Sequence, residues 1–201
     1  NKLHSKKATG PDGIGMEFYK NTAQIILPYL VKLFNDIFST GNVPDSWAES
    51  IIMPIHKSGS RAQANNYRGI SIINAICKVF TYVLNRRLQR WCDEYEILDE
   101  SQAGFRKQYS TVDNIFNLMA MSQKYLSKRG GRFYCIFIYF SKAFDSIYHG
   151  ILWDALKRKS IDGFFLCTVQ SLYRKLKSCL RIGNNLSDFF NCNIGTRQGC
   201  I

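Results

Sequence analysis

The chain has 201 residues, with 27 Lys and Arg against 15 Asp and Glu, for a formal net charge of +12. Apolar residues at 46% and aromatics at 14% exclude a disordered basic tail and provide enough core-forming side chains for one domain. The longest apolar run, Phe133 to Phe140, falls far short of the roughly 20 residues of a membrane-spanning helix.

No N-terminal targeting pattern is visible, the chain opens on Asn1, and its last residues read as the interior of a longer protein. Residues 1–100 hold 12 basic and 10 acidic side chains, whereas residues 101–201 hold 15 and 5. Such a field suits phosphate-rich partners or anionic membrane surfaces, and a merely solubilising surface stays open on charge alone. Cysteines stand at 77, 92, 135, 167, 179, 192 and 200, with no Cys-x-x-Cys pair and no nearby histidine in ligand-like spacing (His4, His56, His149). They read as free thiols of an intracellular protein, nuclear or cytoplasmic, rather than a zinc site or a disulfide framework.

In chain order, Ile25, Ile26, Tyr29, Leu30, Leu33, Phe34, Ile37 and Phe38 mark one face of an amphipathic helix over Thr22–Gly41. Pro28 falls near its first turn or kinks it, and Gly41 is the stop signal. Ile51–Ile55 reads as a short strand and Lys57–Asn66 as a polar loop. Apolar residues from Ile72 to Trp91 predict a second helix, with Arg86, Arg87 and Arg90 off its stripe. A third helix is predicted over Thr111–Leu126, capped by Ser110 or Thr111 and burying Val112, Ile115, Phe116 and Met119.

After the Gly130-Gly131 break, Phe133–Tyr139 reads as a buried strand, with Cys135 acting in it as a small hydrophobe. Helical patterns follow at Ile151–Lys157 and Phe164–Leu176, then a hairpin from Ser178 to Asn193 with Gly183-Asn184-Asn185 at its turn. Helices and strands out of strict alternation predict an α+β fold, with helices around a small antiparallel sheet.

Five segments carry the chemistry, the most informative being Ser141-Lys142-Ala143-Phe144-Asp145 directly after the apolar run. The others are Lys7-Ala8-Thr9-Gly10-Pro11-Asp12-Gly13, Pro54-Ile55-His56-Lys57 with Asn66-Tyr67-Arg68-Gly69-Ile70-Ser71, Gln102-Ala103-Gly104-Phe105-Arg106, and Thr196-Arg197-Gln198-Gly199-Cys200. Their order and spacing resemble the reverse transcriptase domain of LINE-type non-LTR retrotransposons across essentially the whole chain.

The resemblance implies one right-hand polymerase domain, with fingers over residues 1–130 and a partial palm over 131–201, truncated at its C-terminal end. It implies an RNA template, a DNA primer and dNTP as partners and Mg²⁺ as cofactor, with no membrane and an unknown oligomeric state. Lys57 and Arg68 fall where the family grips the incoming triphosphate, a task suited to a point charge and a bidentate guanidinium. Phe144 falls where the family crowds the sugar 2′ position, and Gln198-Gly199 where it lines the nucleotide pocket. Arg106 and Lys107 fall near the template path. For each of these residues an ordinary surface or core role is the competing reading, and Lys142 with Asp145 fits either a salt bridge across the turn or a substrate contact.

The chain departs from the family pattern at one position. Where the resemblance implies Phe-x-Asp-Phe-x-Lys-Ala-Phe-Asp, with the first Asp a metal ligand, this chain has Tyr139. A neutral phenol does not replace a hard anionic carboxylate, so no catalytic or metal residue is intact in the stretch present. The family's Tyr-x-Asp-Asp hairpin is expected beyond Gln198-Gly199, and the chain stops before it. The resulting expectation is a fragment of a retrotransposon RNA-directed DNA polymerase, inactive as written. The alternative is a basic nucleic-acid-binding or protein-interaction module without a nucleotide site, which the order of the five motifs disfavours.

Overall fold

A computed structural model of the chain describes residues 7–199, so His4 and Cys200 lie outside it. The described residues fall into two units. One comprises the residues up to Arg87 and from Lys142 onward, and the other is Leu88–Ser141.

In the first unit, the Gly10–Gly13 turn is closed by the Gly13 N–H on the Gly10 carbonyl (3.0 Å) and tied to Asn74 Oδ1 by the Asp12 N–H (3.2 Å). Helices α1 (Met16–Asn21) and α2 (Ala23–Thr40) follow. The expected stop holds, since the Gly41 N–H bonds the Ile37 carbonyl at 2.8 Å. Pro28 lies inside α2, which continues through it.

The strand expected over Ile51–Ile55 extends to β1 (Glu49–His56), and β2 (Tyr67–Ile72) pairs with it antiparallel, Ile51 opposite Ile72 and His56 opposite Tyr67. Ile72 therefore closes a strand instead of opening the second helix, which is α3 (Ala75–Glu94). A short apolar run fits either period, and here the ladder decides. Helices α5 (His149–Arg158) and α6 (Gly163–Tyr173) lie close to their expected positions. They lead into β3 (Lys177–Ile182), β4 (Asn185–Leu186) and β5 (Phe190–Asn191).

The expected antiparallel sheet is in fact mixed. β3 runs parallel to β1, with Ser50 opposite Ser178, while β4 and β5 pair antiparallel with β3. The buried Ser50 and Ser178 hydroxyls meet at 2.8 Å, each giving the other a hydrogen-bond partner away from solvent.

Phe80 is 0% exposed and is the hub of the core, with ring centroids 5.0 Å from Phe34 and 5.4 Å from both Phe38 and Trp47. Ile37, Ile73, Ile76, Cys77, Leu84 and Leu172 complete that cluster, and Ile51, Ile72 and Cys179 form a smaller one beneath the sheet. Arg87, off the apolar stripe, lays its guanidinium 4.1 Å over Phe38.

In the second unit, α4 (Thr111–Leu126) has the expected bounds. Ser110 is its N-cap, in a capping box with Asp113 that satisfies otherwise orphaned first-turn donors. Two expectations fail in this unit. Val112, Ile115, Phe116 and Met119 are exposed instead of buried. Residues 133–140 form no strand, and Ile136, Phe137, Ile138 and Tyr139 are exposed, Phe137 by 82%. Cys135 is exposed as well. β-branched and aromatic residues favour a strand only when a neighbouring strand takes up their backbone groups, and among the described residues none pairs with this run. None of the described helices is long and apolar enough to cross a membrane.

Candidate nucleotide and nucleic-acid site

The β1–β2 hairpin sets the two expected phosphate-binding cations on one face. Arg68 stands opposite Ile55 in the ladder, and Lys57, two residues beyond Ile55, keeps the ladder going through its N–H on the Asn66 carbonyl (2.8 Å). Opposed residues and those two apart share a side of a sheet, so Lys57 and Arg68 are diagonal neighbours on the same side. Both are exposed. The opposite side is fastened by the His56 and Tyr67 rings, 5.2 Å apart. The loop closes through Asn66 Nδ2 on the Ser60 carbonyl (2.8 Å) and Tyr67 OH on the Arg61 carbonyl (2.9 Å).

The other expected nucleotide residues gather at the opposite end of β2. The Ser71 N–H donates to the Gln198 carbonyl at 2.6 Å, and Gln198 Nε2 donates to Asp145 Oδ1 at 2.9 Å. Thr196 N–H bonds the Phe144 carbonyl (2.8 Å) and Gly195 N–H the Ile147 carbonyl (2.8 Å), so the 142–148 turn and the 194–199 segment form one structure. Phe144 is 43% exposed, which sets aside its reading as an ordinary core aromatic. Lys142 and Asp145 form no ion pair with each other: Lys142 Nζ donates to Asn65 Oδ1 in the hairpin loop (2.7 Å), and Asp145 holds Gln198. Within the first unit, then, Lys57, Arg68, Phe144, Gln198 and Gly199 are all tied to β2 or to the turn beside it.

Two glycines make these approaches possible. Gly199 has φ +118°, and a Cβ there would lie 2.5 Å from the Ser71 carbonyl oxygen; Gly195 has φ +82°, and its Cβ would lie 2.7 Å from that of Asp145. Gly195→Ala is expected to cost about 1–3 kcal/mol through this clash and the left-handed backbone. Gly150→Ala, in α5 with open space around it, should be neutral or slightly stabilising. Thermal unfolding of the two variants side by side checks this.

Several residues of this assembly escaped sequence reasoning. Asn65 is 77 positions from Lys142, and no spacing rule links them. Arg197, in sequence simply one residue of the Thr196–Cys200 motif, donates from its NH1 group to the Trp47 carbonyl at 2.8 Å, anchoring the 194–199 segment ahead of β1. His149 Nε2 donates to the Gly195 carbonyl (2.8 Å).

Arg106 and Lys107 belong to the second unit. Arg106 is engaged by its own loop, donating to the Asp99 carbonyl at 2.8 Å and stacking 4.0 Å over Tyr109, while Lys107 is exposed. In the same loop, hydrogen bonds from the Ser101 side chain and backbone hold the Asp99 carboxyl below its ordinary range. The hydrogen bond to Glu100 pushes the Tyr109 phenol up.

The family model described as "Reverse transcriptase (RNA-dependent DNA polymerase)" matches residues 55–201, which include β1's last residues, β2 and the whole 142–199 assembly. The chain belongs to the reverse transcriptase family. It is 27% identical over 202 residues to the "Probable RNA-directed DNA polymerase from transposon BS" of Drosophila melanogaster, covering 99% of this chain and 22% of that protein. It is 28% identical to the polymerase "from mobile element jockey" of the same species, over 77% of this chain and 17% of that protein. It is 27% identical to a "type-1 retrotransposable element R2" polyprotein of Nasonia vitripennis, over 96% of this chain and 18% of that protein. The resemblance to non-LTR retrotransposon enzymes therefore holds over most of the chain, which spans only about a fifth of the length of these relatives.

Reverse transcriptases work with divalent metal, which needs hard, anionic oxygen donors. Position 139 offers an exposed phenol, and Asp145 is the single carboxylate of the 142–148 turn. Among the described residues no three His, Cys, Asp or Glu side chains gather to hold an ion. The described side chains do not fit a metal centre.

Proposed function

We propose that this chain is the nucleotide-gripping portion of a retrotransposon RNA-directed DNA polymerase, with fingers over residues 1–130 and the opening part of the palm over 131–201. The observation that carries this reading is the continuity of β2. Arg68, with Lys57 beside it, lies on the same strand whose Ser71 N–H holds Gln198, so phosphate-binding cations and a nucleotide-pocket turn share one rigid element.

In this reading Lys57 and Arg68 take the triphosphate of an incoming dNTP, charge-assisted hydrogen bonds being the strong ones. Phe144 lies against the sugar, and the Gln198-Gly199 backbone lets the substrate approach without a Cβ in the way. Arg106 and Lys107 contact the RNA template paired with its DNA primer, adding a salt-dependent contribution. Magnesium is the ion the reading names, because triphosphate oxygens are hard donors that suit it. Tyr139 supplies no carboxylate to hold it, and the chain grips nucleotide without joining it.

Titration with a fluorescent dNTP tests the reading. Lys57→Ala and Arg68→Ala are each expected to weaken binding about tenfold or more, as removal of a hydrogen bond to a charged group does. Affinity unchanged in both variants overturns it.

A further inference from the structure

A cleft of about 710 Å³ opens between α5, the end of α6 and the β3–β5 edge, and neither Lys57 nor Arg68 is among the residues that line it. We propose that this cleft binds single-stranded nucleic acid, with an unpaired base on its aromatic wall and phosphates on its basic rim. The site goes beyond the nucleotide reading and stands on its own residues.

The wall is built from three rings on two helices. Tyr173 meets His149 at 5.0 Å and Trp153 at 5.5 Å between centroids, both edge-to-face, and His149 and Trp153 lie 6.1 Å apart. Edge-to-face packing locks each ring in orientation, and all three line the cleft. A ring held in place by its neighbours loses little freedom when a base stacks on it. His149 is fixed further by its Nε2–H on the Gly195 carbonyl.

The rim is basic. Arg174, Lys175 and Lys177 line the cleft, and among the described residues no Asp or Glu does. Lys175 is held by Asp45, at 2.9 Å and 3.1 Å from the two carboxylate oxygens, so its charge is largely offset. Arg174 and Lys177, both exposed, carry the field that a phosphate would meet.

Gln170, Asn191 and Asn193 add side-chain amides, which both donate and accept and so fit a base edge. An acidic peptide would use the cations and leave the fixed aromatic wall and the amides idle. A single nucleic-acid strand uses all three, and only an unpaired base can present its face and its edge together.

The test is fluorescence anisotropy of a labelled oligouridine of about twelve nucleotides on the 201-residue chain, without dNTP, across a salt titration. Arg174→Gln with Lys177→Gln is expected to weaken binding about tenfold or more at low salt and to flatten the log–log salt dependence by about 1.4, for two phosphate contacts on a single strand. Trp153→Leu, which keeps an apolar side chain but removes the stacking face, is expected to weaken binding about tenfold with the salt slope unchanged.

Unchanged affinity in the doubly substituted chain, whose replaced side chains are exposed, overturns the proposal even where Trp153→Leu perturbs folding. So does displacement of the oligonucleotide by poly-glutamate as effectively as by unlabelled oligouridine. Lys57→Ala with Arg68→Ala is the separating control. Should those substitutions leave dNTP binding intact while the cleft variants lose oligouridine, the nucleotide reading fails and the cleft stands.

Discussion

In a longer form of the chain that continues through an Asp-Asp hairpin, Tyr139→Asp is expected to raise template-dependent dNTP incorporation by about a thousandfold or more. The physical reason is the donor atom. A metal ion that stabilises the charge developing in phosphoryl transfer contributes several kcal/mol, and each 1.4 kcal/mol is about tenfold in rate. The Tyr139 phenol is a neutral oxygen on a bulky ring, where the resemblance calls for a compact anion. The nearest carboxylate in sequence, Asp145, stands six residues further on, in the turn where it accepts from Gln198 Nε2.

The 201-residue chain with Tyr139 is expected to show no primer extension with either Mg²⁺ or Mn²⁺. Primer extension on an RNA template, read on a gel with Lys57→Ala as background, checks both statements. Equal activity of the longer form with and without the substitution, both folded by circular dichroism, would falsify the claim that Tyr139 limits it. Incorporation by the 201-residue chain above that background would remove the second expectation.

What could be read from the residues depended on whether the deciding interaction was local. The bounds of α4 were legible because Ser110, Asp113 and a four-residue apolar period all lie within the helix or its cap. Its burial was not legible, because periodicity says which face is apolar and not whether anything covers it. Val112, Ile115, Phe116 and Met119 therefore follow the helical pattern and still face outward. The 133–140 run has the composition of a buried strand and lacks a pairing neighbour among the described residues, which no propensity reports.

The parallel pairing of β1 with β3 was invisible for a similar reason: Ser50 and Ser178 are 128 positions apart, and each alone looks like an ordinary strand serine. At the candidate site, motif order picked out Lys57, Arg68, Phe144, Gln198 and Gly199, which the first unit does gather around β2. The residues that tie that assembly together, Asn65, Gly195 and the Arg197 side chain, act through long-range contacts and carried no sequence signal of their own.

Phe80→Ala is expected to cost about 3–5 kcal/mol, a large share of the roughly 5–15 kcal/mol that holds an ordinary domain folded. Phe80 is wholly buried, and its ring touches Phe34, Phe38 and Trp47, so truncation opens a cavity that three neighbouring rings cannot collapse into without losing contact with one another. Its effect should be confined, because burial along the chain is not uniform. All six buried residues of α3 (Ala75, Ile76, Cys77, Phe80, Thr81 and Leu84) lie in its first half. From Leu88 to Ser141 no described residue is buried.

Local opening is governed by how much apolar contact an opening event must break, so amide protons of α4 should exchange quickly in the parent chain, while those of α2, early α3 and α6 exchange slowly. Phe80→Ala should then accelerate exchange in α2, early α3 and α6 by about two to four orders of magnitude and leave α4 unaffected, already near its limit. Hydrogen exchange followed by mass spectrometry resolves the two regions. Strong protection of α4 in the parent chain would mean that its apolar face is covered in solution, and Leu88–Ser141 could then no longer be regarded as a unit without a buried core.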